Sequence, residues 1–450
     1  MKNLTLLSLF LGFTCAVIAA DTNAPAWLAR PLSVVDCVNI ALAQNATILK
    51  AKDDLQAAQG VVIQTRAVAL PTLQATGKYT DKELSLVQGF PSGASSLGIS
   101  TPHQDWNAGV QLIQNIYAGG KLVAAFQGAT ATKQQAVAQY QTALADTLLL
   151  VRLAYYDVLL AEQQIVVNEA SVKLLGKEFD DQKRRYDAGT VPHFNVLRAE
   201  VALANAQPNL IRARNQFRIS KNVLVNLLGY NLPREVQENI PLNLTDGFDI
   251  APWNMILPDA IQQALERRPE LTVVRRQIDL DRVNIVNAKA GYKPTVQAFA
   301  GYGWLNDSFS SDLSDNLNGW SVGGQMTWNI FDGALTIGKV KQTKALYQKS
   351  KTELEDRSRQ IELTVRTSYS DFIEAKEVLD SQNKVQEQAD EALRESNARF
   401  DAGTGTQLDV LAAENALTQA RTTLVTAQHD YASARVRLER AIGAELATVK

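Results

Sequence analysis

Three histidines, His103, His193 and His429, are the side chains of this chain best suited to move protons or bind a transition metal. They fall on a predicted loop, a turn and a helix, and no two have the spacing that sets metal ligands on one face. Gly301 and Gly303 make a short glycine pair, but it lies in a strand-like stretch with no helix after it, so it is not a nucleotide loop. No P-loop or nucleophile elbow is present. The residues therefore argue against an enzyme, and they call for no catalytic group, metal or cofactor. With 45 Lys and Arg against 47 Asp and Glu, the chain also lacks the basic excess that nucleic acid requires.

The elements that hold these residues occur twice. Arg-Tyr-Asp-Ala-Gly-Thr from Arg185 returns as Arg-Phe-Asp-Ala-Gly-Thr from Arg399, an offset of 214, and 12 of the 22 positions from 185 to 206 match their mates at 399 to 420. The same offset aligns Trp106 with Trp320, Gly119 with Gly333 and Tyr155 with Tyr369. Upstream the offset is 223, aligning Pro71 with Pro294, so one nine-residue deletion separates the copies. Long-unit duplication constrains the fold. The first repeat spans 21–229, a proline-rich linker 230–256, and the second repeat 257–450.

Residues 1–20 have the basic start, apolar run and small-residue end of a signal peptide, predicting cleavage near Ala20; the competing reading is an uncleaved anchor. Cys15 lacks a lipoprotein context and goes with the discarded segment. Cys37 then stands alone, which rules out an internal disulfide. No later stretch is apolar for the 18 or so residues that a spanning helix needs, so a membrane crossing after export would be made by strands.

Proline-free runs at 120–187 and 334–401, rich in Ala, Leu, Gln, Lys and Glu, predict helices of roughly 100 Å. Leu144, Val151, Val158, Ile165, Val172, Phe179 and Tyr186 recur every seventh residue, as do Val365, Phe372, Leu379, Leu393 and Phe400 apart from Gln386. That period is coiled-coil packing. Returning helices over 193–228 and 407–443 complete a long hairpin in each repeat, 120–228 and 334–443, with a glycine-ended tip. A first helix opens each repeat, over 33–68 and 257–291. Between first and long helices the period drops to two, predicting strands near 72–80, 106–116, 295–304 and 320–330. These are long enough to cross a bilayer. Tyr79, Trp106, Tyr302, Trp304, Trp320 and Trp328 could form an interfacial aromatic girdle; a soluble sandwich is the other reading of the same alternation. Polar loops over 81–103 and 307–318 join the strand pairs.

Four strands cannot close a barrel, and an open sheet in lipid leaves backbone groups unpaired at several kcal/mol each. Several copies must share one barrel. The order helix, Pro, strand, strand, a turn such as Tyr117-Ala118-Gly119-Gly120 or Phe331-Asp332-Gly333-Ala334, long helix, Arg-Tyr/Phe-x-x-Gly-Thr tip and returning helix, all duplicated, resembles the TolC-like outer membrane efflux proteins. The resemblance implies a mainly α chain with a transmembrane β-barrel. It implies a homotrimer whose 12-stranded barrel, set in outer-membrane lipid, continues into a periplasmic α-helical tunnel. Partners would be a periplasmic membrane-fusion adaptor and an inner-membrane transporter, with the adaptor docking at the tips Ala188, Gly189 and Thr190 and Ala402, Gly403 and Thr404. It also places the periplasmic aperture at Asp409, with Asn195 as its neutral counterpart, Phe400 where the family has Tyr, and Tyr186 as the mate of Phe400.

Gly405 stands where the family has Arg, so the resemblance implies an aperture held by few polar ties and an acidic ring of Asp409. Such a ring would favour cations and raise its own pKa values; capping of the returning helix is the other reading of Asp409. The function implied is the outer-membrane exit duct of a tripartite efflux or type I secretion system. The rival is a periplasmic coiled-coil adaptor or structural spacer.

Overall fold

The computed structural model describes residue 27 and residues 30–83, 104–230, 240–306 and 317–444. Residues 1–20, expected to be a signal peptide, and most of both strand-joining loops lie outside them. Twelve main elements run in chain order: α1 (Val34–Gln44), α2 (Ala46–Ala67), β1 (Thr72–Asp81), β2 (Gln104–Ala118), α3 (Lys121–Asp187), α4 (His193–Leu227), α5 (Leu257–Arg267), α6 (Pro269–Lys289), β3 (Thr295–Asn306), β4 (Leu317–Thr327), α7 (Leu335–Asp401) and α8 (Gln407–Ile442). The long helices α3 and α7 have 67 residues each. Among the described residues no helix is long and apolar enough to cross a membrane.

The opening helix expected in each repeat is in fact two. Asn45 is extended (φ −63°, ψ 127°), accepts the N–H groups of Thr47 and Ile48, and donates through Nδ2 to the Leu227 carbonyl at 2.6 Å. Its mate at the 223 offset, Arg268, has nearly the same backbone (φ −67°, ψ 122°). There the cause is Pro269, whose ring excludes the helical conformation from the residue before it. Asn45 achieves the same break as an N-cap. Gly229 seats against the first break at φ +84°, where any Cβ would lie 2.3 Å from the Gln44 carbonyl oxygen. The end of each returning helix is thereby docked on the bend of the opening pair.

The helices form a row, α4–α3–α8–α7, with α2 against α3 and α6 lying across α3 and α7. Two apolar clusters sit where α1 and α5 meet this row. Val151, Tyr155 and Val158 anchor one, and Val365, Phe372 and Tyr431 the other. Tyr155 donates its hydroxyl to the Leu32 carbonyl at 3.2 Å and accepts the Asp246 N–H at 3.1 Å, which ties the linker to the first long helix.

The strands make one antiparallel sheet in the order β1-β2-β3-β4. Its register pairs Tyr79 with Trp106, Ala108 with Trp304, and Tyr302 with both Val110 and Trp320. One face therefore carries Leu73, Tyr79, Trp106, Val110, Leu112, Tyr302, Trp304, Trp320, Val322 and Met326. The other carries Gln74, Lys78, Asn107, Gln111, Gln297, Ser321 and Gln325, interrupted by Phe299, which pairs with Ile113 and fills the space above Gly323. Trp328 lies just beyond β4, which spans Leu317–Thr327 and so begins and ends three residues before the expected 320–330; its indole donates to the Tyr292 carbonyl at 3.2 Å. It is thus set at the end of the sheet opposite Trp320. β1 and β4 each leave one edge unpaired among the described residues.

Candidate functional site

Both tips have the same backbone. Gly189 (φ +70°) and Gly403 (φ +73°) reverse the chain in the left-handed region that glycine tolerates. Thr190 donates its N–H and hydroxyl to the Arg185 carbonyl, both at 2.8 Å, and Thr404 does the same to Arg399 at 2.9 and 3.2 Å. Ala188, Gly189, Thr190, Ala402, Gly403 and Thr404 are all exposed. They are two copies of a rigid, small-residue knuckle open to solvent in this chain.

The helices leaving the tips begin differently. α8 opens with a capping box: Asp409 accepts the Thr406 N–H at 2.9 Å and its hydroxyl at 2.7 Å, while Thr406 accepts the Asp409 N–H at 3.3 Å. The Thr406 hydroxyl and N–H hold the exposed Asp409 carboxyl below the usual range. Within the chain this is opposite in sign to the rise expected of an acidic ring, because the partners nearest the carboxylate are donors. α4 opens at Pro192 with no side-chain cap; the Asn195 N–H reaches the Pro192 carbonyl at 3.0 Å. The Tyr186 ring lies against His193 with centroids 5.1 Å apart and the planes tilted by 58°.

The tips are joined by a residue that the sequence reading missed. Arg185 bonds Asp181 at 2.7 Å, reaches Asp401 at 3.5 Å and lies 4.8 Å above the Phe400 ring. Phe400, unable to act as a hydroxyl latch, is instead an aromatic seat for an arginine. The position of Arg185 in the duplicated motif was visible, but the mate Arg399 pairs with Glu395 on its own helix, and nothing in the motif distinguishes the two.

A second missed group lies in the α3–α8 seam just beyond the tips. Gln182, Gln407 and Glu414 are 0%, 4% and 4% exposed. Glu178 accepts from Gln182 Nε2 at 2.9 Å and Gln407 Nε2 at 3.3 Å, and Gln407 also reaches the Asn195 carbonyl at 3.3 Å. On α3 the signal was a polar residue, Gln182, in the seven-residue phase of Ala154, Ala161 and Leu175; on α8 the phase of Gln407 and Glu414 is polar through Arg435 and gives none.

At the far end of the seam the repeats are joined by ions. Arg440, 5% exposed, bonds Asp146 at 2.7 Å and Glu270 at 2.6 Å, and Glu270 also accepts from Arg268 at 2.7 Å. Burial pushes Glu270 up, but Arg268 and Arg440 outweigh it and bring the carboxyl down to about 2. Among the described residues no group of His, Cys, Asp and Glu is arranged to hold a metal.

A continuous row of long helices ending in paired tips, joined to a sheet with one apolar face, is the arrangement against which known proteins can be compared. The family model described as outer membrane efflux protein matches residues 37–230 and 260–444. The chain belongs to the outer membrane efflux protein family. It is 24% identical over 416 residues to the outer membrane protein TolC of Vibrio cholerae, covering 91% of this chain and 90% of that one. The alkaline protease secretion protein AprF of Pseudomonas aeruginosa is 26% identical over 293 residues, 64% of this chain and 60% of AprF. Among solved structures, the outer membrane protein VceC of Vibrio cholerae superposes with a TM-score of 0.76 at 20% identity, covering 91% of this chain and 96% of VceC. Each matched block holds one long hairpin with its tip.

Proposed function

We infer that this chain is the outer-membrane exit duct of a tripartite efflux or type I secretion system, and that it works as a homotrimer. The observation that carries the reading is incompleteness of the same kind at both levels of the fold. The sheet has unpaired edges at β1 and β4, and the helix row has exposed apolar edges. α4 shows Leu197, Val201, Ile211 and Val223, and α7 shows Leu346, Leu363, Val378 and Val385, each at least 40% exposed. One cyclic operation that sets β4 beside the next β1 and α7 beside the next α4 satisfies all four edges. Three copies of four strands make the 12-stranded barrel, and the rows make a tunnel of roughly 100 Å below it.

On this reading the apolar face of the sheet meets lipid. Tyr79, Trp106, Tyr302, Trp304 and Trp320 form one aromatic belt, and Trp328 lies at the opposite interface. The duct itself does no chemistry, and cargo is selected by the transporter beneath it. The tips Ala188 to Thr190 and Ala402 to Thr404 receive the adaptor. Asp409 lines the aperture, and its capping role leaves the charge in place for a ring.

Site-specific photo-crosslinking from Thr404 in whole cells tests the docking reading: capture of a periplasmic adaptor supports it, and an empty tip at full outer-membrane expression rejects it. Reversal potentials of wild type and Asp409→Asn, which keeps a capping oxygen, test the ring; unchanged cation preference would sink it.

A further inference from the structure

The polar group at the α3–α8 seam is short of one kind of partner. Among the described residues, three buried oxygens there accept no hydrogen bond: Gln182 Oε1, Gln407 Oε1 and Glu414 Oε2. All three are acceptors. The amide donors of both glutamines are already directed at Glu178, which leaves their buried oxygens without a donor. A buried acceptor without a donor has lost its water and gained nothing in return, so a group of three calls for a ligand that brings a donor or a positive charge.

We propose that Glu414 is a proton-binding site: as a neutral carboxylic acid it supplies the donor that this seam lacks, and loss of the proton loosens α3 from α8 beside the tips. A neutral carboxyl is a donor as well as an acceptor, so protonation removes the charge from a buried oxygen and turns one orphan acceptor into a donor in a seam that has only acceptors to spare. The group has two carboxylates, Glu178 and Glu414, and among the described residues no set of three or more His, Cys, Asp or Glu is placed to hold a metal.

The charged neighbours agree. Glu178 of α3 is the one charge that acts on Glu414 directly. A cleft of about 450 Å³ that reaches Glu414 is also lined by Lys177, Asp180, Asp181, Arg184 and Arg185 of α3 and Asp401 of α7. These six balance in sign, and Arg184 and Arg185 are paired with Asp181, which leaves Glu178 uncompensated. Burial first, and the Glu178 charge second, push Glu414 up from the ordinary 4.5 to about 7. Because the value is raised in the packed state, the stabilisation is fully present below about 4.5 and is lost as pH rises through about 7. Above that, two carboxylates face each other in the seam.

Infrared titration of the detergent-extracted full chain tests the site without reference to transport. A protonated-carboxyl C=O band that titrates near pH 7 and is missing in Glu414→Gln is the expected result; no such band, or one that survives in Glu414→Gln, overturns the proposal. Should Glu414→Gln fail to assemble, Glu178→Gln serves instead: removal of the neighbouring charge should lower the midpoint, and an unmoved midpoint counts against the proposal. Calcium added at constant pH should leave the band unchanged, and its replacement by a carboxylate signal would show a hard cation as the true ligand.

The consequence for gating rests on the duct reading. In planar bilayers, opening of wild type should rise roughly tenfold across the titration, one pKa unit of differential proton binding, while Glu414→Gln stays at the low-pH level. A titrating band with no conductance at any pH would refute the duct and leave the proton site standing; conductance with a pH-independent band would do the reverse.

Discussion

The two repeats share a backbone and differ in what surrounds it. Glu200 and Glu414 occupy the same place in the duplicated motif, yet Glu200 is exposed and Glu414 is buried. The row α4–α3–α8–α7 explains this. Duplication produced two hairpins, but laying them side by side puts the long helix of the first and the returning helix of the second at the centre, leaving α4 and α7 at the edges. Within one chain, position in the row rather than local sequence decides burial. The same rule accounts for Arg185, on central α3, reaching across to α7 while Arg399, on edge helix α7, pairs within its own helix.

The largest test of this asymmetry is at the joint between repeats. Arg440 is on the central helix and its mate, Asn226, carries no charge. Arg440→Ala should lower stability by about 3–5 kcal/mol, because it leaves Glu270 buried with one cation fewer. Asn226→Ala should cost far less. Thermal melts of the extracted protein would check this, and equal losses would mean that the centre of the row is not special.

Thr406→Ala comes next. It removes the side-chain half of a capping box that only the second tip has, and should cost about 1 kcal/mol. Pro192→Ala at the corresponding helix start removes no side-chain cap and should stay within a few tenths. Hydrogen exchange at the first turns of α8 and α4 would resolve the two, and equal protection loss would contradict the comparison.

How far the sequence could foresee these differences depends on whether a feature is local. The two 67-residue helices follow from proline-free runs, the tips from Gly189 and Gly403, and the sheet faces from period-two alternation, all properties of neighbouring residues. The break at Arg268 was readable from Pro269, whereas the break at Asn45 depended on a helix end, Leu227, far along the chain. The bridging role of Arg185 and the burial of Glu414 depend on which helix lies next to which. Identical motifs give no sign of that.

His429 tests the centre of the row through pH. On α8 it bonds Asp157 of α3 and Asp430, each at 2.9 Å; its mate on edge helix α4 is Asn215. Burial opposes its charge, but the hydrogen bonds to Asp157 and Asp430 outweigh burial and raise its pKa above 6.5. The stability it adds is therefore complete below 6.5 and disappears as pH rises through the raised value. His429→Asn should flatten this part of the melting-temperature profile by up to about 1 kcal/mol, while Asn215→Asp should leave it in place. A wild-type profile flat through neutrality would dismiss the clasp.

The smallest effect in energy bears most directly on the tips. Arg185 and Asp401 are 37% and 72% exposed at their side chains, so water and salt screen the pair and its removal should cost at most about 0.5 kcal/mol. Yet this arginine crosses between tips, so Arg185→Ala frees α7 from α3 where the chain has no hydroxyl latch. Arg399→Ala, which removes only a pair along one helix, leaves the crossing intact. Spin labels at Thr190 and Thr404 should therefore report a broader distance distribution for Arg185→Ala and an unchanged one for Arg399→Ala. The difference should shrink at high salt, which weakens the Arg185–Asp401 attraction while sparing the contact with the Phe400 ring. Equal broadening by the two variants would show that the tips are held by their backbones alone, and that the repeats are equivalent there.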